Sequence, residues 1–306
     1  MKYKKVLVTG GTGFVGKRLQ NVEPGWDYIS SQDADLTNME ECSELLSRYQ
    51  PDAVIHLAAK VGGIKENAQN PAVFFLQNMA MNTNIVEACR KAGVKRLLAS
   101  LSTCAFPDVV ENYPFTENDI LKGAPAPTNL PYGFSKRALW VQLNAYRQQY
   151  GLNYSAFCPS NLYGPDDNFD LESSHFVAAM VRKIHEVENG KGIEVWGTGK
   201  PLRQQFYIDD LANVIPELLT HHNSEAPMII APEENLSIAD SVRLVIEASG
   251  KDVPITYTGA LDGQYRKDGD NSLFKNTFPE FKFTSFNDGV KKTYEWYNEN
   301  SIYNRN

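Results

Sequence analysis

The chain has 306 residues, a formal net charge of −7, 42% hydrophobic residues and 22% charged ones. This is ordinary globular usage, enough for one large core with room for a smaller lobe, and it excludes a disordered chain. No apolar run reaches the roughly 18 residues of a spanning helix, and no Lys/Arg-rich block marks a nucleic-acid binder, so neither a membrane nor a nucleic acid is an expected partner.

Lys5-Val-Leu-Val-Thr9 reads as a buried strand, too short an apolar run for a signal peptide. Glycines and a helix from Phe14 to about Gln20 follow. Trp26–Ser30 is a short strand, and Asn38–Tyr49 has helical spacing in Met39, Cys42, Leu45, Leu46 and Tyr49. Ala53–Leu57 is a third strand, Phe74–Ala92 a long helix, Arg96–Ser100 a fourth strand, Phe134–Tyr150 a helix and Tyr154–Cys158 a strand. Such alternation predicts an α/β fold, a Rossmann-like doubly wound parallel sheet covered on both faces, with strands apolar throughout because both sides are buried. Beyond residue 165 the pattern loosens. Helices are predicted over Ser174–Val187, Asp209–Leu219, Ser237–Ser249 and Gly289–Asn298, with a short strand Ile193–Trp196. The expected division is a dinucleotide-binding domain over 1–164, with a return segment near 204–225, and a smaller, partly interleaved C-terminal substrate lobe over 165–306.

Thr9-Gly-Gly-Thr-Gly-Phe-Val-Gly16 follows the first strand and opens the first helix. Glycines there permit a tight turn and close approach of backbone to a diphosphate, which then faces a helix N-terminus. Gly10, Gly13, Phe14, Val15 and Gly16 are therefore candidate cofactor contacts. At the end of the second strand no Arg or Lys stands ready for a 2′-phosphate. Asp33 or Asp35 suits the free ribose of NAD, Asp35-Leu36 suits a turn against the adenine, and Ser30 and Ser31 suit a phosphate. These residues leave NADP and NAD both open.

Cys42, Cys89, Cys104 and Cys158 form no Cys-x-x-Cys pair and match no zinc spacing, so no metal is expected, and a reducing cytoplasmic setting is. Each reads first as a small buried apolar residue. Ser102 follows the fourth strand, at the edge where open α/β sheets bind ligands. Tyr132 and Lys136 stand four apart at a helix start, where an ammonium beside the phenol is expected to lower its pKa and make it a proton donor near neutrality. The glycine loop, Ser102 and the Tyr132/Lys136 pair resemble the extended short-chain dehydrogenase/reductase family.

More specific segments narrow the resemblance to the GDP-L-fucose synthases, the bifunctional 3,5-epimerase/4-reductases of GDP-4-keto-6-deoxy-D-mannose. They are His56–Ile64, Ser102–Pro107, Pro127–Tyr132, Asn161–Phe169, Ser174-His175 and Val195–Arg203. The resemblance implies Cys104 as the base and His175 as the acid that invert C3 and C5, with Ser102, Tyr132 and Lys136 serving the ketone and its reduction. It implies NADPH, lined also by Pro159, Asn161, Leu162 and His175. Lys183, Trp196, Arg203 and Asp262 then contact the GDP-sugar; Arg266 or Lys267 are further cations for its diphosphate, which a net-acidic protein must hold locally. It further implies a homodimer through Phe74–Ala92 and Phe134–Tyr150. A related 4-keto nucleotide sugar, or simple 4-epimerisation, is the alternative; Thr103-Cys104 stand where a 4,6-dehydratase is expected to carry Asp-Glu. Thr12 and Gln32 replace cations found in some family members, weakening the NADPH preference, and Asp166 replaces a common His. His56 and His185 read as structural, and His221 and His222 as a helix end.

Overall fold

The computed structural model describes residues 3–259 and 262–301; the first two and last five residues of the predicted division, and the side chains of Ile64 and Lys65, lie outside it. In chain order the first half comprises β1 (Val6–Thr9), α1 (Phe14–Val22), β2 (Asp27–Ile29), α2 (Met39–Tyr49), β3 (Ala53–His56), α3 (Ile64–Gln69), α4 (Pro71–Lys91), β4 (Arg96–Ser100), α5 (Leu130–Tyr150) and β5 (Asn153–Pro159). Then follow β6 (Asn161–Tyr163), α6 (Phe176–Glu186), β7 (Ile193–Val195), β8 (Leu202–Arg203), β9 (Gln205–Tyr207), α7 (Ile208–His221) and β10 (Met228–Ile230). The chain closes with β11 (Leu236–Ser237), α8 (Ile238–Ser249), β12 (Ile255–Tyr257), α9 (Ser272–Thr277) and α10 (Phe286–Asn300).

The main sheet has six parallel strands in the order β10-β5-β4-β3-β1-β2. Strand side chains alternate between two cores. Leu7, Ile29, Val54 and Leu97 face α2, α4 and α5, whereas Val6, Val8, Ile55 and Leu98 face α1 and α7. The order reverses between β1 and β3, and such a switch point opens a crevice at the carboxyl edge. A third core, built from α6, α8, α10, β7 and β12, forms the second lobe.

Local chemistry sets the helix starts. Asn38 caps α2 by accepting from Glu40 N–H, and Ser237 caps α8 by accepting from Asp240 N–H at 2.9 Å. Both α4 and α5 begin earlier than their apolar spacing predicts: Pro71 is the first residue of α4 and Pro131 the second of α5, positions where a missing N–H costs nothing. The sequence reading did not single out Met228–Ile230. This strand pairs with β5, so the chain's return to the sheet runs past the predicted 204–225.

Buried polar groups fasten the layers. His56 Nδ1 shares a hydrogen bond with Thr9 Oγ1 at 2.8 Å, its Nε2 meets Asn82 Oδ1 at 3.0 Å, and Asn82 donates to the Ser135 carbonyl at 3.3 Å. Burial, with the charge of Lys136 nearby, pushes His56 down to about 4 and keeps it neutral. Its role is structural, linking β1, β3, α4 and α5 beneath the site. His185 contacts the rings of Tyr294 and Tyr297, and His222 caps α7.

Candidate active site

The glycine loop fits a dinucleotide diphosphate. Gly13 caps α1 without a side-chain hydrogen bond, and the first N–H groups of a helix, here those of Phe14 and Val15, have no intrahelical partner. Gly10 has φ 76°, and a Cβ there would stand 2.8 Å from Ala58 N. A Cβ on Gly16 would stand 2.4 Å from the Gly10 carbonyl oxygen. At the ribose end, Asp33 accepts from Ser30 N–H and Oγ at 2.8 and 2.9 Å, and Asp35 accepts from Thr37 N–H and Oγ1 at 2.9 and 2.8 Å. Both carboxylates close turns. The Leu36 side chain is buried in the core, and its carbonyl oxygen accepts from Asn84 Nδ2 at 3.2 Å. Pro159 ends β5, and Leu162 packs on the α1/α7 core. Asn161 N–H and Nδ2 both donate to the Gln204 carbonyl at 3.2 Å, joining β6 to β9.

Ser102 Oγ caps the short turn after β4 by accepting from Cys104 N–H at 3.2 Å. Tyr132 and Lys136 share a face in the first turns of α5. Lys136 is 2% exposed, its Nζ donates to the Ser100 carbonyl at 2.9 Å, and it lies 6.0 Å from the Tyr132 ring centre. Burial brings its ammonium down to about 8. The expected lowering of the Tyr132 phenol is not found. Burial and negative charge at Cys104 push it up, against a hydrogen bond with Ser102, while the Lys136 ammonium is directed to Ser100. The phenol therefore keeps its proton at neutral pH, as a donor should.

Cys104 departs from the other three cysteines, which are buried. Its Sγ accepts from Asn129 Nδ2 at 2.9 Å and from Lys267 Nζ at 3.1 Å. Burial alone raises a thiol; here the charge of Lys267, hydrogen bonds from Ser102 and Lys267, and the charge of Arg203 outweigh it, and the thiol lies below its ordinary value. Sequence reasoning left Asn129 out and placed Lys267 only among the cations for a diphosphate. Asn129 was visible as the residue before α5, three positions ahead of Tyr132.

His175 caps α6 and precedes it, where the spacing had placed it inside the helix. It is exposed on one side; the surrounding protein and then the charge of Lys267 lower its imidazole. The loop after β3 lies beside it, a Cβ on Gly63 falling 3.4 Å from the Ser174 carbonyl oxygen.

The four substrate candidates fall in the second lobe. Trp196, 75% exposed, follows β7, and Lys183 Nζ donates to the Glu194 carbonyl of that strand at 3.3 Å. Asp262 accepts from Thr198 N–H and Oγ1 at 2.8 and 2.6 Å, which holds its carboxyl below the usual range. Arg203 lies beside Gly263, and burial lowers its guanidinium against the charges of Cys104 and Asp262. Asp262 thus braces the turn that follows Trp196, and Arg203 feels the charges of both Asp262 and Cys104.

Asp166, the departure in the Pro-Asp-Asp-Asn segment, has φ 66° and accepts from Arg18 Nη1 at 3.1 Å. Arg18 Nε also donates to Asp209 at 2.6 Å. Asp166 therefore ties the loop after β6 to α1 and α7.

A doubly wound sheet, a glycine cradle at its switch point and a Ser/Tyr/Lys set at its carboxyl edge define a nicotinamide-dinucleotide enzyme acting at a carbonyl or carbinol carbon. The model of the NAD dependent epimerase/dehydratase family matches residues 6–231. A probable GDP-L-fucose synthase of Drosophila melanogaster is 36% identical, covering 97% of this chain and 98% of the fly protein. A GDP-L-fucose synthase of Dictyostelium discoideum is 35% identical over 97% of this chain and 96% of its own. The crystal structure of a GDP-L-fucose synthetase from Naegleria fowleri bound to NADP superposes with a TM-score of 0.91 at 34% identity, covering 98% of this chain and 94% of that one. The chain belongs to the NAD dependent epimerase/dehydratase family, within its GDP-L-fucose synthase branch. Among the described residues no helix is long and apolar enough to cross a membrane.

Proposed function

We propose that this protein converts GDP-4-keto-6-deoxy-D-mannose to GDP-L-fucose, inverting C3 and C5 and then reducing C4, with NADPH as cofactor. The observation that carries the reading is the thiolate environment of Cys104 beside Ser102 and Tyr132, in a chain similar over nearly its whole length to GDP-L-fucose synthases. The glycine loop from Gly10 to Gly16, with Pro159, Asn161 and Leu162, holds the cofactor, and Lys136 holds its nicotinamide ribose. NADPH supplies, when bound, the hydride for C4.

Removal of a proton next to the C4 ketone needs a base, and its return on the other face needs an acid. Cys104 takes the proton from carbon, and His175 returns one. Ser102 and Tyr132 donate hydrogen bonds to O4 as negative charge builds there, and act on the same oxygen at both carbons. In the reduction Tyr132 gives its proton to O4. One activated ketone thereby serves both reactions. Lys183, Trp196, Arg203 and Asp262 hold the nucleotide and its diphosphate.

A homodimer through α4 and α5 completes the reading. Phe75, Leu76, Phe134 and Val141 are exposed there, and Phe75 and Phe134 line an apolar groove between the two helices. The four free cysteines suit a cytoplasmic setting.

The test supplies GDP-4-keto-6-deoxy-D-mannose with NADPH and, separately, NADH, and follows nicotinamide oxidation. Turnover yielding GDP-L-fucose is expected, and faster turnover with NADPH. No turnover with either cofactor sinks the proposal. In D2O, deuterium is expected at C3 and C5 of the product.

A further inference from the structure

We propose that Lys267 is a positioning residue for proton transfer: its ammonium, in contact with the Cys104 sulfur, pairs with it as a thiolate ready to take a proton from carbon. This rests on the reading of Cys104 and His175 as base and acid.

The geometry at sulfur is that of an anion. Two N–H donors, Asn129 Nδ2 and Lys267 Nζ, stand at 2.9 and 3.1 Å from Sγ, and a neutral thiol is only a weak acceptor. Among the described residues no carboxylate pairs with Lys267, whereas its neighbour Arg266 is neutralised by Asp268 through contacts of 2.9 and 2.6 Å. Sulfur is then the counter-charge that Lys267 has.

The segment bearing Lys267 is fixed on both sides. Gln264 Nε2 donates to the Asp108 carbonyl at 2.6 Å. Phe115 N–H donates to the Asp268 carbonyl at 2.9 Å, and Asp270 N–H to the Phe115 carbonyl at 2.7 Å. Gly269 N–H donates to Gln204 Oε1 at 2.9 Å, and a Cβ on Gly269 would lie 2.7 Å from Ile229 Cγ2. Lys267 is thus brought to the sheet edge by a braced strand of chain and is no solvated surface charge.

The charges balance through the step. With Cys104 ionised, the lysine and the thiolate cancel. When sulfur takes the carbon proton the ion pair ends, and the electron pair left on carbon moves to O4, where Ser102 and Tyr132 hold the new negative charge. His175 then returns a proton to the opposite face of the carbon, and the electron pair goes back from O4 to form the C–H bond. Afterwards Cys104 returns its proton to water and His175 takes one, so each cycle exchanges one carbon proton for one from solvent. The other titratable groups acting on the sulfur are the cationic Arg203 and the neutral Tyr132 and Cys158, and the ammonium in contact with it is that of Lys267.

The test measures iodoacetamide alkylation of Cys104, resolved by peptide mass, from pH 5.5 to 9.5 in the full chain, for wild type, Lys267→Met and Lys267→Arg. Thermal melting checks each fold. Wild type is expected to show a midpoint below that of an ordinary thiol. Lys267→Met should raise it by a unit or more, slowing labelling at pH 7 about tenfold, and Lys267→Arg should restore most of the shift. The pH profile of deuterium exchange at C3 and C5 should move by the same amount. An unmoved midpoint in a folded Lys267→Met overturns the proposal, as does an ordinary wild-type midpoint. Should Lys267→Met not fold, Lys267→Gln takes the same test. A lysine-dependent low midpoint without exchange from the sugar substrate overturns the proposed function and leaves the ion pair standing; normal exchange with an unmoved midpoint does the reverse.

Discussion

The Lys136 ammonium donates to the Ser100 carbonyl oxygen at 2.9 Å, fastening α5 to the end of β4 through a charge that is 2% exposed. Burial lowers this lysine from 10.5 to about 8. Below pH 8 it is charged in both folded and unfolded chains, and the cost of burial is felt in full. Between about 8 and 10.5 only the unfolded chain holds the proton, so this group makes the fold more stable as pH rises. Lys136→Met lacks that term. Its stability relative to wild type in urea melts of the cofactor-free protein should fall by an amount on the order of 3 kcal/mol between pH 7 and pH 10.5. A difference that stays constant with pH refutes the assignment.

The glycine cradle makes a sharper claim about cofactor binding. Gly16→Ala puts a methyl group 2.4 Å from the Gly10 carbonyl oxygen and 2.6 Å from that of Gly11, both backbone atoms with little room to yield. The loop must open, and NADPH affinity by titration calorimetry should drop tenfold or more, about 1.4 kcal/mol. Gly25→Ala meets nothing within 4 Å and should bind as wild type does.

Asp166 separates backbone strain from charge. Asp166→Ala and Asp166→Gly both lose the contact with Arg18, but only alanine must hold φ at 66° with a Cβ. The glycine variant should be the more stable of the two by about 1 kcal/mol in denaturant melts. Equal loss in both would mean that the left-handed backbone is not retained.

Cys104→Ser and Tyr132→Phe should divide the two reactions. The serine hydroxyl is a far weaker base, so deuterium exchange at C3 and C5 should fall by at least about a hundredfold, in the range that a positioned base contributes. Tyr132→Phe removes the proton given to O4 and should depress reduction more than exchange. Both are read in D2O by mass spectrometry and nicotinamide absorbance. Unchanged exchange in Cys104→Ser excludes it as the base.

Much of the fold was legible because apolar strand runs and helical spacing are local. The first five strands of the sheet could be read so, and Asn38 and Ser237 announced their helices. Met228–Ile230 could not, since three apolar residues carry no period and acquire strand character only by pairing with β5. The cofactor loop was legible for the same local reason. At Cys104 the sequence pointed to the sulfur but not to its surroundings. Lys267 meets it across 163 positions, and no spacing rule connects residues so far apart. The Tyr132/Lys136 spacing was read correctly as a shared face, yet the lysine's hydrogen-bond partner is a carbonyl on β4, which no side-chain pattern reveals.

The pairing of β10 with β5 has a bearing on how the chain is made. Until a ribosome has produced Ile230, β5 presents a bare row of backbone donors and acceptors, and Leu98 and Phe157 lack the cover of α7. The amino-terminal half therefore cannot finish folding while the rest is being synthesised. The sheet is completed only once the segment from β6 to α7 has been made, and a nascent chain stalled before that strand would be a ready client for chaperones.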